Sequence, residues 1–362
     1  MRIFLLTDYY QQYLKSFEKQ WNNVVSGLGY KEHQELLLQD YFGSWVSYRN
    51  HFRNIGHTCE LVIGNYLDLQ YKWAREQGVK IKPSLNRYHQ VVLEQIEAFQ
   101  PDAFIVSSSF QYYGQFMQNV RAITPNIFSW ISCPFPESLD LVAISCIISS
   151  ADYFVDEFRK RGKNAELLRA GFDADILQGI GSLSKDIPVS FVGGLGADTH
   201  SFRISYLERL IEDGVPLKVW GYGLKRRWLP FGRSPIEKCY QGECFGMEMF
   251  RVLARSQITL NFHIDIIKGH NWVGNMRMYE GTGCGSMLIT DHGENICDIF
   301  VPGREIETFS DYEDLKRKAI HYLDHFSDAE AVAQAGQKRC LKDHGCSSRI
   351  RNLESILCQY SI

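Results

Sequence analysis

The chain has 362 residues, more than one typical domain needs and enough for two that each bury a core. A hydrophobic fraction of 45% and a charged fraction of 22% are those of an ordinary folded protein and exclude disorder on a large scale. A formal net charge of −3 offers no electrostatic footprint for nucleic acid, although a local basic pocket could hold one phosphate group.

Residues 2–7 form a continuous apolar run, which in a protein of alternating elements predicts a buried parallel strand. The run is too short for a signal-peptide core or a membrane span, so the expectation is a cytoplasmic protein with no integral membrane segment. A long helical stretch follows. Aromatic and apolar residues recur at helical spacing over 41–54, Gly56-His57 ends that helix, and 58–63 is the next strand. Another amphipathic helix over 88–99 stops at Gln100-Pro101-Asp102 and leads to a strand over 103–107, with Ser108 and Ser109 at its polar edge. Strand patterns recur at 127–132 and 146–149. Residues 153–155 read as a further short strand or turn, 156–162 as a short helix, and 165–168 as a strand.

Gly179, Gly181, Ser182 and Ser184 cluster within 173–185, which reads as a linker. Beyond it a second series places strands at 189–192, 217–220, 258–261 and 287–290, with helices between. Strands alternating with helices predict α/β architecture with parallel sheets covered on both faces. The expected division is 1–175, 186–345, and a C-terminal helix over 346–362 packing back on the first domain. The ten cysteines show no C-x-x-C pair and no histidine at zinc-binding spacing, so they read as reduced, mostly buried thiols.

Ligands of open α/β sheets bind beyond the C-terminal strand ends. In the second domain three loops there carry candidate residues. Gly193-Gly194-Leu195-Gly196 follows the first strand, with Arg203 in the next helix. Small residues let backbone amides approach a phosphate, and an arginine near a helix N-terminus adds a bidentate fork. A tight strand-to-helix turn without a ligand would use the same glycines. Gly221-Tyr222-Gly223 follows the second strand, where Tyr222 could cover a base or pack on its own domain. Lys225-Arg226-Arg227 beyond it is most simply a solvated basic stretch.

The third loop runs from Asn261-Phe262-His263 through Lys268 and Trp272 to Gly274-Asn275, then into a helix carrying Arg277 and Glu280. A Gly-containing polar loop at a helix N-terminus is an anion site. Glu280 is a poor phosphate neighbour but a good acceptor for a ribose diol, so the pair suggests a sugar nucleotide. The competing account is a salt bridge along one helix face, since Arg277 and Glu280 are three apart.

Several stretches together resemble the C-terminal domain of the CgeB-like, spore-maturation-protein type glycosyltransferases, relatives of the retaining family 4 with GT-B architecture. They are Ser190-Phe191-Val192-Gly193 with Arg203; Val219-Trp220-Gly221-Tyr222-Gly223; Tyr240-Gln241-Gly242; Ser256-Gln257-Ile258-Thr259-Leu260-Asn261; Asn275-Met276-Arg277-Met278-Tyr279-Glu280-Gly281 with Gly283 and Gly285; and Thr308-Phe309-Ser310-Asp311 with Leu315. The resemblance covers about residues 187 to 350.

The resemblance implies two Rossmann-like domains whose parallel sheets face a central cleft, with a nucleoside-diphosphate sugar lying mostly against the second. It places Glu280 on the donor ribose and makes Arg203 and Lys268 candidates for the diphosphate. It implies neither a cofactor beyond that co-substrate nor a metal. Family 4 carries a second glutamate eight positions before the ribose glutamate. Here that position is Trp272, and Asp265, His270 or Asn271 could take over its contacts to the sugar.

In the first domain Asp8 follows the first strand and could act as a base on an acceptor hydroxyl or serve as a helix N-cap. Ser107, Ser108 and Ser109 could bind an acceptor or line a turn. Cys133 reads as a buried thiol rather than a nucleophile. The expected activity is sugar transfer with retention to an unidentified glycan, protein or small-molecule acceptor. A nucleotide-sugar epimerase of the same fold and a non-catalytic nucleotide-sugar-binding protein are the alternatives.

Overall fold

The computed structural model describes residues 1–81, 87–107, 109–224, 234–264 and 271–362, apart from the side chains of 87 and 197–200. It divides into two compact units, residues 1–169 with 347–362, and residues 170–346.

The first unit opens with β1 (Arg2–Thr7), whose Ile3, Phe4, Leu5 and Leu6 are all buried. An apolar run without alternation suits a strand covered on both faces, and each such side chain contributes about 1.5–3 kcal/mol by leaving water. Helices α1 (Gln11–Val25), α2 (Tyr30–Leu38) and α3 (Trp45–Asn54) follow, then β2 (Thr58–Ile63), α4 (Leu67–Glu76) and α5 (Arg87–Phe99). After them come β3 (Ala103–Val106), α6 (Gln115–Arg121), β4 (Ile127–Trp130), β5 (Cys146–Ser149), α7 (Asp152–Lys160) and β6 (Ala165–Leu167). The six strands lie in the order β2-β1-β3-β4-β5-β6, and every pairing is parallel.

The second unit contains α8 (Asp175–Ile180), β7 (Ile187–Val192), α9 (Ala197–Glu212), β8 (Leu217–Trp220), α10 (Ile236–Cys239) and α11 (Gly246–Arg255). It continues through β9 (Ser256–Asn261), α12 (Met276–Gly283), β10 (Met287–Asp291), β11 (Glu307–Phe309), α13 (Tyr312–Asp324) and α14 (Phe326–Asp343). Its five parallel strands run β11-β10-β9-β7-β8. The core on one side gathers Phe191, Leu207, Leu260, Phe262, Ile289 and Leu315. The last helix, α15 (Cys346–Tyr360), returns to the first unit, where Glu354 Oε1 meets His57 Nε2 at 2.8 Å and Tyr360 donates to Glu166.

In each sheet the order in which strands are added switches sides once, between β1 and β3 in the first unit and between β7 and β9 in the second. Loops diverge at such a point and leave a crevice at the C-terminal strand ends, where ligands of open α/β sheets bind.

Some local expectations need correction. Residues 153–155 lie inside α7 rather than in a strand or turn, because Phe154, Val155 and Phe158 recur at helical spacing and bury one face. The segment 173–185 is not free linker, because Asp173 Oδ1 accepts from the amide of Asp175 and starts α8. The helical stretch before residue 54 is broken into three. Tyr41 (φ 51°) and Gly43 (φ 77°) adopt left-handed conformations just before α3, which therefore begins at Trp45 rather than Tyr41.

Candidate functional site

The C-terminal ends of β9 and β10 carry a polar hub. Thr290 pairs in register with Asn261, which puts the residues just beyond, His263 and Asp291, side by side. His263 is 2% exposed. Its Nδ1 lies 2.6 Å from Asp291 Oδ1, and its Nε2 faces the backbone N–H groups of Gly274 at 2.9 Å and Asn275 at 3.3 Å. Two amide donors on Nε2 require that nitrogen to accept, so the ring proton sits on Nδ1 and is donated to Asp291. Burial works to raise the Asp291 carboxyl, but the attraction of His263, its side-chain and backbone hydrogen bonds and that of Thr290 outweigh it and hold the group below its ordinary range.

The same hub fixes the start of α12. Asn275 stands at its N-cap but makes no capping side-chain bond. Instead its Nδ2 donates to Asn261 Oδ1 at 3.0 Å, and Asn261 in turn donates to Thr290 Oγ1 at 2.9 Å. The first turn of α12 carries no acidic residue to occupy its amides. Backbone N–H groups at such an end point at whatever anion approaches. The preceding loop is stapled from its other side by Asn295, which accepts from the Val273 amide at 2.9 Å and donates to its carbonyl at 2.8 Å.

Gly274 has φ +144°, and a Cβ there would lie 2.8 Å from the Trp272 ring. Both the conformation and the close approach require glycine. Trp272 is buried against this turn, so the indole is part of the loop's packing.

Arg277 and Glu280 form the i,i+3 contact that sequence spacing allowed, with Nη1 2.8 Å from Oε2. Glu280 is 9% exposed, so this is not a solvated surface pair. The alignment is poor: Arg277 Nε and Nη1 are buried without a hydrogen-bond acceptor among the described residues, and Nη2 reaches only Met249 Sδ at 3.1 Å. Burying a guanidinium with unused donors costs free energy that an anionic ligand would recover.

The loop after β7 is used differently from what its glycines suggested. The Gly193 amide donates to Trp220 O at 3.1 Å and the Leu195 amide to Tyr222 O at 2.8 Å, extending the β7–β8 ladder. A Cβ on Gly221 would sit 2.0 Å from Gly193 O, so this glycine lets two loops cross closely. Arg203 is buried, donating from Nη1 to Gly194 O at 2.8 Å and from Nη2 to Phe262 O at 2.7 Å. Its guanidinium therefore ties the β7 and β9 ends together across the point where the strand order switches. Tyr222 packs near-parallel to Phe245 with ring centroids 6.2 Å apart. Lys268, Asp265, His270 and the basic stretch 225–227 lie outside the described residues.

In the first unit a second polar cluster sits at the switch point between β1 and β3. Asp8 does not cap α1, whose N-cap is Tyr10. Its Oδ1 accepts from Tyr112 Oη at 3.0 Å and its Oδ2 from Gln111 Nε2. Gly64 makes room for the tyrosine, since a Cβ there would lie 1.9 Å from its hydroxyl. Burial raises the Asp8 carboxyl above its ordinary range, and the hydrogen bonds from Tyr112 and Gln111 only partly offset this. Ser107 joins Thr7 and Ser109 through hydroxyl contacts of 2.9 and 3.3 Å, and Ser108 lies outside the described residues. All ten cysteines are free, and six of them are buried. Cys133 is half-buried.

Sequence reasoning missed His263, Asp291 and Asn295. The available signal was that Asn261 and His263 are two apart at a strand end, and so share a face, with an acidic residue ending the next strand.

Residues 203–355 match the family model described as glycosyl transferase-like. No curated protein matches by sequence. Among solved structures, Anabaena Alr3699/HepE in complex with UDP-glucose is similar with a TM-score of 0.60 and 10% identity, over 99% of this chain and 100% of that one. Sucrose-phosphate synthase from Thermosynechococcus elongatus is similar with a TM-score of 0.57 and 8% identity, over 99% of both chains. A glycosyltransferase from Rickettsia africae ESF-5 is similar with a TM-score of 0.57 and 10% identity, over 99% and 98%. Among the described residues no helix is long and apolar enough to cross a membrane. The chain has the GT-B fold, and the β9–β10 hub and α12 lie within the residues that match the glycosyl transferase-like model.

Proposed function

We propose that the chain transfers a glycosyl group from a nucleoside-diphosphate sugar to an acceptor, and that the second unit holds the donor. The observation that carries this reading is the start of α12, which has no side-chain cap and is locked by His263 and Asn275 beside a half-buried, under-satisfied Arg277 and the Glu280 carboxylate. The amides of Met276 and Arg277, just beyond those that His263 holds, together with the Arg277 side chain suit a diphosphate. Glu280, already oriented by Arg277, suits a ribose diol.

Cationic and amide donors around a departing diphosphate stabilise the charge that develops there, so the reading needs neither a metal nor a cofactor. Retention follows the family resemblance, with the leaving phosphate helping to deprotonate the acceptor. Asp8 is the proposed protein base, held by Tyr112 and Gln111 and reprotonated more readily than an ordinary carboxylate. The Anabaena relative's complex with UDP-glucose makes uridine the first base to test.

A second reading, donor binding without transfer, is favoured by one observation: Trp272 occupies the position of the missing family glutamate and is spent on packing against Gly274. Thermal-shift and calorimetric titration with UDP, GDP, dTDP and their glucose conjugates tests the donor assignment. One of them is expected to raise the melting temperature and to be turned over with a sugar-acceptor pool. Binding with no transfer leaves only the second reading, and no shift with any of them removes both.

A further inference from the structure

At the N-terminal edge of the second unit's sheet, the end away from the donor hub, lies a cavity of about 340 Å³. Strands of five or six residues put roughly 15–20 Å between the two edges. Its volume falls in the range of about 300–1,000 Å³ usual for small-molecule pockets. The apolar part of the lining is formed by Leu177 and Ile180 of α8, Ala254 of α11, and Phe326, Ala329 and Ala333 of α14, and the remainder is polar. Phe326 and Leu183, which also line it, stay 45% and 37% exposed.

The polar end of the cavity is built around Lys185. Its Nζ donates to Gly285 O at 2.7 Å; the other ionisable groups lining the cavity are the Cys284 thiol, which acts on the amine against the effect of burial, and Glu330 of α14, which forms no ion pair with it. Gly285 holds φ +76° with the Gln337 amide packed 3.1 Å from where a Cβ would be, which fixes the carbonyl toward the lysine. The two neighbouring amides are committed elsewhere, Gln337 Nε2 to Gly283 O and Gln257 Nε2 to Lys185 O. An ammonium has three donors, and one carbonyl uses one of them.

We propose that this cavity is a second ligand site, for a small organic monoanion that places its carboxylate or sulfonate on Lys185 and its apolar body against α8 and α14. The site is independent of the donor reading. Burial of the amine lowers it to about 8, which makes occupancy pH-dependent: the ammonium, and with it the anion, is lost as pH rises through that value.

The test uses the full chain and 8-anilinonaphthalene-1-sulfonate, whose sulfonate stays ionised throughout. Fluorescence titration is expected to show one site, with affinity falling about tenfold between pH 7 and pH 9. N-phenyl-1-naphthylamine, which lacks the sulfonate, is expected to bind at least about tenfold more weakly. Lys185→Met is expected to lose binding by a similar factor, and Lys185→Arg to retain it without the pH dependence, because guanidinium does not titrate in this range. No saturable binding overturns the proposal. So does unchanged affinity in a Lys185→Met protein whose circular dichroism and melting are normal. Should that variant not fold, a wild-type affinity that is flat from pH 7 to 9, or equal for the two probes, overturns it.

Discussion

His263 Nε2 accepts the backbone N–H of Gly274 at 2.9 Å while Nδ1 donates to Asp291, so a carboxylate at the end of one strand sets the position of the turn that leads into α12 through a single imidazole. Replacing His263 by Phe keeps the volume but leaves two buried amides and the Asp291 carboxylate without their partner. Expected costs are about 1–3 kcal/mol of stability and a clear loss of nucleotide affinity. Chemical denaturation and calorimetry measure the two, and unchanged affinity in the folded variant would detach the relay from donor binding.

Asp291 also makes an acid-side prediction. Its folded carboxyl sits below the ordinary value of 3.8, so its contribution is fully present above the unfolded pKa and is lost as pH falls through the folded one. Between pH 5 and pH 2 the wild type should therefore lose more stability than Asp291→Asn. Parallel melting curves across that range would contradict the depressed carboxyl.

Glu280→Gln tests the ribose assignment with less structural risk than Glu280→Ala, since removing the carboxylate altogether strands the half-buried Arg277. Loss of one charged hydrogen bond predicts about 1.5–3 kcal/mol, or roughly 10- to 100-fold, in nucleoside-diphosphate affinity. Inorganic diphosphate should bind equally to both proteins. A nucleotide affinity equal to wild type would refute the placement on ribose.

Gly274→Ala adds a methyl at φ +144° and 2.8 Å from the Trp272 ring. The cost is expected to exceed 1 kcal/mol because strain and contact add. The double variant with Trp272→Ala separates them: it relieves the contact but not the conformation, so partial rescue is expected in urea titrations. Full rescue would show that the backbone at 274 is unstrained.

How much of this could be read from the chain depended on the range of the interaction. The strand over 217–220 appears as predicted because its run of Leu, Val and Trp is a local pattern. Glu280 and Arg277 could be named for the same reason, as neighbours on one helix face. His263 and Asp291 are 28 residues apart and meet only through the β9–β10 register, which no local pattern encodes. Arg203 shows the same limit, since its residue type points to a phosphate but not to the two carbonyls, one of them 59 residues away, that the fold brings within reach of its guanidinium.

Asp8 links the first unit to a pH profile. Burial raises its carboxyl and Tyr112 lowers it, so Tyr112→Phe should raise it further. If Asp8 is the base, the acid limb of kcat/KM then moves to higher pH, since the ionised form is needed. An ionised carboxylate that the fold disfavours opposes stability above its folded pKa, so Asp8→Asn should melt at or above the wild-type temperature at pH 7 while losing transfer. Donor affinity should not change. An acid limb that does not move in Tyr112→Phe would assign the base elsewhere.

Lys185 gives the alkaline counterpart. Its amine falls from 10.5 to about 8 in the folded chain, so between those values the unfolded chain binds the extra proton and stability rises with pH. Lys185→Met removes that rise. Measured by urea denaturation, the variant should gain on the wild type at pH 7, with the advantage shrinking toward pH 10 by an amount on the order of 3 kcal/mol. Taking the difference between the two proteins cancels the tyrosines and other lysines that titrate in the same window. A difference that stays constant from pH 7 to pH 10 would mean the amine is not depressed, and the pH dependence expected for the anion site would then have no source.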